Sequence, residues 1–280
     1  MEKLNDQIMI KESYDKLRNK LNGEVISYTG VFQHDYFLPF KNFIENIKKQ
    51  SPQYDNLYLL LKTDGGNSDI VERMVDCIYE NYKYCAVIVF DRALSAGTVF
   101  ALSTNEVFLD KYGVLGAIDS YVPKADGTQY PVTLQHLLLR ELMEKDSTQS
   151  ISQYDKHLLG KMDVPSILAY EKSDELTIET LTKAIHDRML QGQGDTSDIK
   201  AKMKKLQDIN HWKSHFKGIR HKQLIQEFPF IKASIYDDEL KTLIESHIGI
   251  LYRNYYEGAN DLFLHGKEFS CRQSFQLDKW

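Results

Sequence analysis

The chain has 280 residues, of which 42% are hydrophobic and 27% charged, and its formal net charge is -5. So many apolar and aromatic residues exclude a disordered chain, and the mild acidity asks for neither nucleic acid nor an anionic membrane as a partner. The length suits one large globular domain, or a core domain with a helical annex.

Residues 2–21 read as an amphipathic helix with Ile8, Ile10, Tyr14, Leu17 and Leu21 near one face, ended by Asn22-Gly23. A β-rich first strand is expected over 24–31. Residues 37–49 place Phe40, Phe43, Ile44 and Ile47 at helical spacing, and Ser51-Pro52 breaks the pattern. An apolar run at 57–62 predicts a buried strand, 68–82 a helix with Ile70, Met74, Cys77 and Ile78 inward, and 86–90 the next buried strand. A short apolar helix over 95–103 precedes short strands over 106–109 and 114–118. Strands alternating with helices imply βαβ units and a largely parallel sheet.

Past residue 120 the pattern changes. A turn-rich loop covers 119–130, a helix 133–144, and a polar, mobile stretch 145–153. Residues 165–170 lead into a long helix over 174–190, which Gly192-Gln193-Gly194-Asp195 interrupts. Helices are expected over 198–206, 219–228 and 237–256, and the tail after Gly258 shows no clear period. The expected division is an N-terminal helix at 1–22, a core at 23–192 and a mainly helical extension at 193–280. Cys77, Cys85 and Cys271 form neither metal-like nor disulfide-like spacing, which fits a reducing cytoplasm. No run approaches the ~20 apolar residues that span a bilayer, so no transmembrane segment is expected.

Two motifs carry chemistry. Thr63-Asp64-Gly65-Gly66-Asn67-Ser68 follows one buried strand, and Ala93-Leu94-Ser95-Ala96-Gly97-Thr98 follows the next. Paired glycines at a strand end let the backbone turn sharply and expose N–H groups. A serine among small residues at a strand-to-helix turn presents its hydroxyl to a cleft, with the next N–H aimed the same way. Ser95 therefore reads either as the N-cap of a short helix or as a nucleophile facing the Gly65-Gly66 loop. The glycine loop favours the nucleophile.

The stretch from Tyr58 to Asp119 resembles the Clp/crotonase-fold serine peptidases, in particular the signal peptide peptidase and serine dehydrogenase proteinase branch. The likeness rests on Leu-Lys-Thr-Asp-Gly-Gly at 61–66, Leu-Ser-Ala-Gly-Thr at 94–98, Asn-Glu-Val-Phe-Leu-Asp at 105–110 and Val-Leu-Gly-Ala-Ile-Asp at 114–119. The last replaces the family's Leu-Gly-Pro-Val/Ile-Asp-Pro, with Ala117 and Ser120 where it has proline. The resemblance implies an α/β Clp/crotonase-like ββα superhelix fold with a helical C-terminal extension. It implies Ser95 as the nucleophile and the N–H groups of Gly66 and Ala96 as the oxyanion hole, with Gly65 and Gly97 in the same substrate-binding backbone. It implies a peptide or protein substrate, no cofactor and a homo-oligomer.

Clp proteases complete a triad with histidine and aspartate, but residues 115–119 hold no histidine. The signal peptide peptidase branch uses a lysine on the segment before a later helix. Tyr170-Glu171-Lys172-Ser173 matches that segment, so Lys172 is the expected base, against the plain reading of a surface lysine. Lys145 is the runner-up. His211, His215 and His221 lack a convincing ligand pattern and read as a flanking element, and the basic residues at 200–205 as a solvated helix face. Two other classes stay open: a catalytically inactive scaffold or peptide binder of this fold, and a crotonase-like acyl-CoA enzyme, for which no CoA signature is present.

Overall fold

In the computed structural model, which describes residues 2–123, 129–148, 151–214, 217–255, 262–266 and 269–273, the chain begins with helix α1 (Glu2–Leu21) and turns at Asn22 into strand β1 (Glu24–Thr29). Then follow α2 (Phe37–Gln50), β2 (Asn56–Thr63), α3 (Asp69–Asn81), β3 (Tyr84–Ala93), α4 (Ala96–Leu102), β4 (Glu106–Leu109) and β5 (Val114–Leu115). Next come a small hairpin, β6 (Tyr121–Pro123) with β7 (Gln129–Pro131), and helices α5 (Val132–Thr148), α6 (Gln153–Gly160) and α7 (Val164–Ala184), the last continued by a π-helical turn at Ile185–Met189. The remainder comprises α8 (Thr196–Gln207), α9 (Ile209–Trp212), β8 (Ile219–Arg220), α10 (His221–Glu227), β9 (Ala233–Ile235), α11 (Asp238–Tyr255), β10 (Leu262–Gly266) and β11 (Phe269–Gln273).

Strands β1, β2, β3 and β4 are neighbours in chain order and mutually parallel. Both faces of this sheet are covered, so its strands read as continuous apolar runs rather than alternating ones. On one face Leu57, Leu59 and Leu61 pack with Phe40, Phe43 and Ile47 of α2, Met74 and Ile78 of α3, and Phe100 of α4. On the other, Val25, Leu60 and Ile88 meet Tyr14 and Leu17 of α1 and Ile244, Ile248 and Leu251 of α11. The fold is thus the expected α/β class: parallel strands laid down in sequence order, each crossover returning over one face.

The boundary expected near residue 193 is not a boundary of the sheet. β9 joins β4 in parallel, β8 pairs with β5, and β10 lies antiparallel to β1 with Ser27 opposite His265. The C-terminal region therefore supplies both edges of the sheet as well as α11. Among the described residues no helix is long and apolar enough to cross a membrane.

The register places the site. β2 and β3 run in step from Asn56↔Tyr84 to Leu61↔Val89, then slip by a bulge to Thr63↔Ala93. Their carboxyl ends, and the loops that follow, are thereby set side by side. Ligand sites of parallel sheets form at such ends.

Candidate active site

Only Leu94 and Ser95 separate β3 from α4. Ser95 sits at φ 51°, ψ -119°, a backbone conformation that side-chain-bearing residues rarely adopt. Such a residue stores about 1–3 kcal/mol and persists only where its surroundings over-determine it. They do so here. Leu94 N–H donates to Thr63 O at 3.1 Å, and Gly97 N–H and Thr98 N–H donate to Leu94 O and Ser95 O, each at 2.8 Å. The buried Thr98 hydroxyl lies 2.8 Å from Ala93 O and 2.9 Å from Gly116 O, and accepts from Gly116 N–H at 2.8 Å. Ser95 occupies the N-cap position of α4, but its side chain makes no capping bond there, so its hydroxyl is not spent on the helix.

The glycine loop is fixed just as tightly. Gly65 (φ 104°) and Gly66 (φ 126°) both occupy conformations that favour glycine. Gly65 N–H donates to Thr63 Oγ1 at 3.0 Å, while Phe32 clamps the loop: its N–H donates to Gly65 O and its carbonyl accepts from Asn67 N–H, both at 2.8 Å. This pairing turns the N–H of Gly66 away from Phe32. Neither Gly66 N–H nor Ala96 N–H, at the first position of α4, takes a partner among the described residues.

Gly65 and Gly97 do different work from that expected. A Cβ on Gly65 would stand 2.8 Å from both Leu94 O and Ser95 Cβ, so its missing side chain lets the two loops touch. A Cβ on Gly97 would stand 2.3 Å from Thr63 Cγ2, and its N–H is already committed to Leu94 O. Both are buried packing glycines outside the cavity lining, whereas Gly66 and Ala96 line it.

That cavity, about 540 Å³, opens beside Ser95. Asp119 and Ser120 of the β5–β6 loop contribute one wall, and Tyr170, Ser173 and Thr177 of α7 another. A smaller cavity of about 160 Å³ continues it between α3 and α7, sharing Asp69, Val99 and Thr177. In the lining of the larger cavity Asp64 pairs with Arg92, which holds that carboxyl below its usual range.

The structure does not bring Lys172 to Ser95. Helix α7 begins ten residues earlier than expected, with Asp163 accepting from Ser166 N–H as its N-cap, so Lys172 lies mid-helix rather than before one. The spacing of residues 170, 173 and 177 aims that stripe at the cavity, and Lys172 points elsewhere. Its side chain is 75% exposed and its Nζ bonds Glu175 Oε2 at 2.7 Å, a pairing that raises the ammonium pKa. A base needs the opposite shift. Lys145 is likewise exposed and paired with Glu141 at 3.0 Å. Among the described residues, those lining the cavity include neither lysine nor histidine.

Sequence reasoning passed over the groups that do stand there. Asp119 is buried in the cavity wall. Next to it the Ser120 hydroxyl donates to Asp174 Oδ1, reaching across to α7. Burial raises the Asp174 carboxyl to about 6, and the charge of Asp119 adds to the rise against the hydrogen bond from Ser120. Asp119 and Ser120 were visible in the motif at 114–119 and its neighbour. An aspartate inside a helix, such as Asp174, carries no local signal.

Of the candidate histidines, neither His211 nor His221 lines this cavity. His211 packs edge-on against Trp212 and lies 3.6 Å from Glu227, and His221 bonds Ala233 O at 2.9 Å. His215 lies outside the described residues. Three of the four lysines of α8 are in ion pairs: Lys200 with Glu179, Lys202 with Asp198 and Lys205 with Glu227.

No protein-family model matches the sequence, and no curated protein matches it. Solved structures do show likeness. The chain is similar to 1510-N, a membrane-bound stomatin-specific protease, in a lysine-to-alanine mutant complexed with a substrate peptide: TM-score 0.48 and 13% identity over 77% of this chain and 75% of that one. A serine-to-alanine mutant of the same protease gives a TM-score of 0.49 and 14% identity over 84% of this chain and 91% of that one.

Proposed function

We propose that this protein is a serine peptidase that hydrolyses peptide bonds through an acyl-enzyme on Ser95. The observation that carries the reading is the strained Ser95 turn, whose hydroxyl shares a cavity with two unpartnered backbone N–H groups, those of Gly66 and Ala96. Strain held in place by a dense hydrogen-bond frame is the usual companion of a working site. Two N–H donors converging beside a nucleophile stabilise the oxyanion that forms when the hydroxyl attacks a carbonyl. Lys172, expected from the resemblance as the base, is set aside on its exposure and its pairing with Glu175.

A second reading is favoured by one specific observation: the described cavity lining offers no amine or imidazole to activate the serine. On that reading the fold is a peptide-binding scaffold. A fluorophosphonate probe separates the two, since it bonds only to an activated serine hydroxyl. Covalent labelling of the native protein, lost in Ser95→Ala, supports the peptidase. Peptide binding without labelling at any pH supports the scaffold.

A further inference from the structure

Among the hydroxyls lining the cavity, that of Ser120 has a buried carboxylate behind it. Ser120 lines the same cavity as Ser95, and its Oγ–H points not to solvent but to Asp174 Oδ1. Asp174 is held in the interior, 7% exposed, where α7 passes behind the β5–β6 loop. Asp119, also buried, directly precedes Ser120 in sequence and shares the cavity wall. A buried carboxylate facing another acid is an expensive arrangement for stability alone.

We infer that the general base of this site is a carboxylate relay: Asp174, acting through the Ser120 hydroxyl, accepts the proton of Ser95. The inference rests on the peptidase reading above. When Ser95 Oγ bonds the substrate carbonyl carbon, the C=O electron pair moves onto oxygen, where the Gly66 and Ala96 N–H groups face it. The Ser95 proton passes to Ser120 Oγ as the proton of Ser120 passes to Asp174. Collapse of the tetrahedral species breaks the C–N bond, and the proton returns through Ser120 to the leaving amine. Water then attacks the acyl-enzyme, gives its proton to the same relay and releases the acid, and the relay returns a proton to Ser95. The sum is peptide plus water to acid plus amine. In this scheme Ser120 and Asp174 replace the lysine or histidine that other serine peptidases use, and a carboxyl near 6 is ionised at neutral pH and basic enough to serve.

The charged neighbours of Asp174 come from three elements. Asp119 faces it from the β5–β6 loop. His136 and Arg140 of α5, and Glu171 and Glu175 of α7 itself, share its groove on the far side. His136 is engaged by Glu171 at 2.8 Å and by Arg140 at 2.7 Å.

The test is the rate of fluorophosphonate labelling as a function of pH, measured on the full chain. The wild-type rate should rise through a single ionisation near 6 and then level off. Asp174→Asn and Ser120→Ala should each slow it on the order of a hundred-fold and remove that ionisation, since a general base contributes roughly 10²–10⁴. Ser120→Thr, which keeps the hydroxyl, should restore most of the rate, and His136→Gln should leave the midpoint in place. Asp174→Asn should also melt at a higher temperature than wild type above pH 6 while labelling more slowly, because it removes a buried charge. A merely structural Asp174 would lose stability and activity together. Wild-type rates and midpoint in Asp174→Asn or Ser120→Ala overturn the relay and leave Ser95 as nucleophile. Absence of labelling in the wild type overturns the relay together with the peptidase reading.

Discussion

Ser95 is the residue on which the site turns, and its backbone makes a prediction apart from chemistry. Glycine tolerates φ 51°, ψ -119° and alanine does not, so Ser95→Gly should be more stable than Ser95→Ala by about 1 kcal/mol, read from denaturant midpoints. Equal stability would mean that the turn is not strained. Both variants should lose all labelling. By contrast Lys172→Ala should label within about twofold of wild type, because its ammonium is exposed and paired with Glu175. A loss of more than tenfold would restore Lys172 as the base. The contrast shows what a sequence conveys. Gly65, Gly66 and Ser95 were legible because glycine and serine at strand ends constrain the local backbone whatever lies around them. The directions of Lys172 and Asp174 depend on how α7 is rotated about its axis, which packing against the β5–β6 loop and α5 decides. A lysine within the family-like Tyr-Glu-Lys-Ser segment reads as functional, whereas an aspartate two residues further on carries no local signal.

At the scale of elements, the site is held by the junction of β2, β3, α4 and the loop after β5, and the Thr98 hydroxyl joins three of these. Thr98→Val keeps the shape but removes the partner of Gly116 N–H and of two buried carbonyls. It should cost about 2–3 kcal/mol in chemical denaturation and slow Ser95 labelling as the turn relaxes. Unchanged stability would show that the hydroxyl does not tie the junction. The clamp by Phe32 gives a sharper case. A Cβ on Gly66 would stand 2.3 Å from Phe32 O, so Gly66→Ala cannot keep both the loop and the bridge. Unlike a simple loss of one donor, it should reduce both thermal stability and labelling. The early helices and strands were legible because their apolar periods are long and unbroken. The edges were not. β8 is two residues that sequence merges into the helix at 221–227, and β10 and β11 lie in a polar, aromatic tail that acquires meaning only by pairing with β1 far upstream. Non-local pairing leaves no local period to read.

For the molecule as a whole, the two chain ends are sewn together across one face of the sheet. α1 packs on α11, and between them lie buried polar groups: Ser13 bonds His247 Nδ1 at 2.9 Å, Tyr14 bonds Glu24, and the His247 and His265 rings lie 5.3 Å apart. Burial lowers His247 to about 3 and His265 to about 4, so both are neutral in the folded chain at neutral pH. The unfolded chain protonates them near 6.5, and hence binds more protons than the folded one below that pH. The stability that these two neutral histidines contribute should be complete above pH 6.5 and fall, by on the order of a few kcal/mol, as pH drops toward 4. His247→Phe should blunt that loss, and an acid-melting curve identical to wild type would exclude this histidine as its source. The same stitching explains why the region after the Gly192–Asp195 break, expected to be mainly helical, also contributes strands to the sheet. The most direct measurement for the function is intact-mass analysis and peptide mapping after fluorophosphonate treatment of the native chain. A single adduct on Ser95, absent from Ser95→Ala, is the expected result. No adduct at any pH, or an adduct that survives in Ser95→Ala, would contradict a catalytic Ser95.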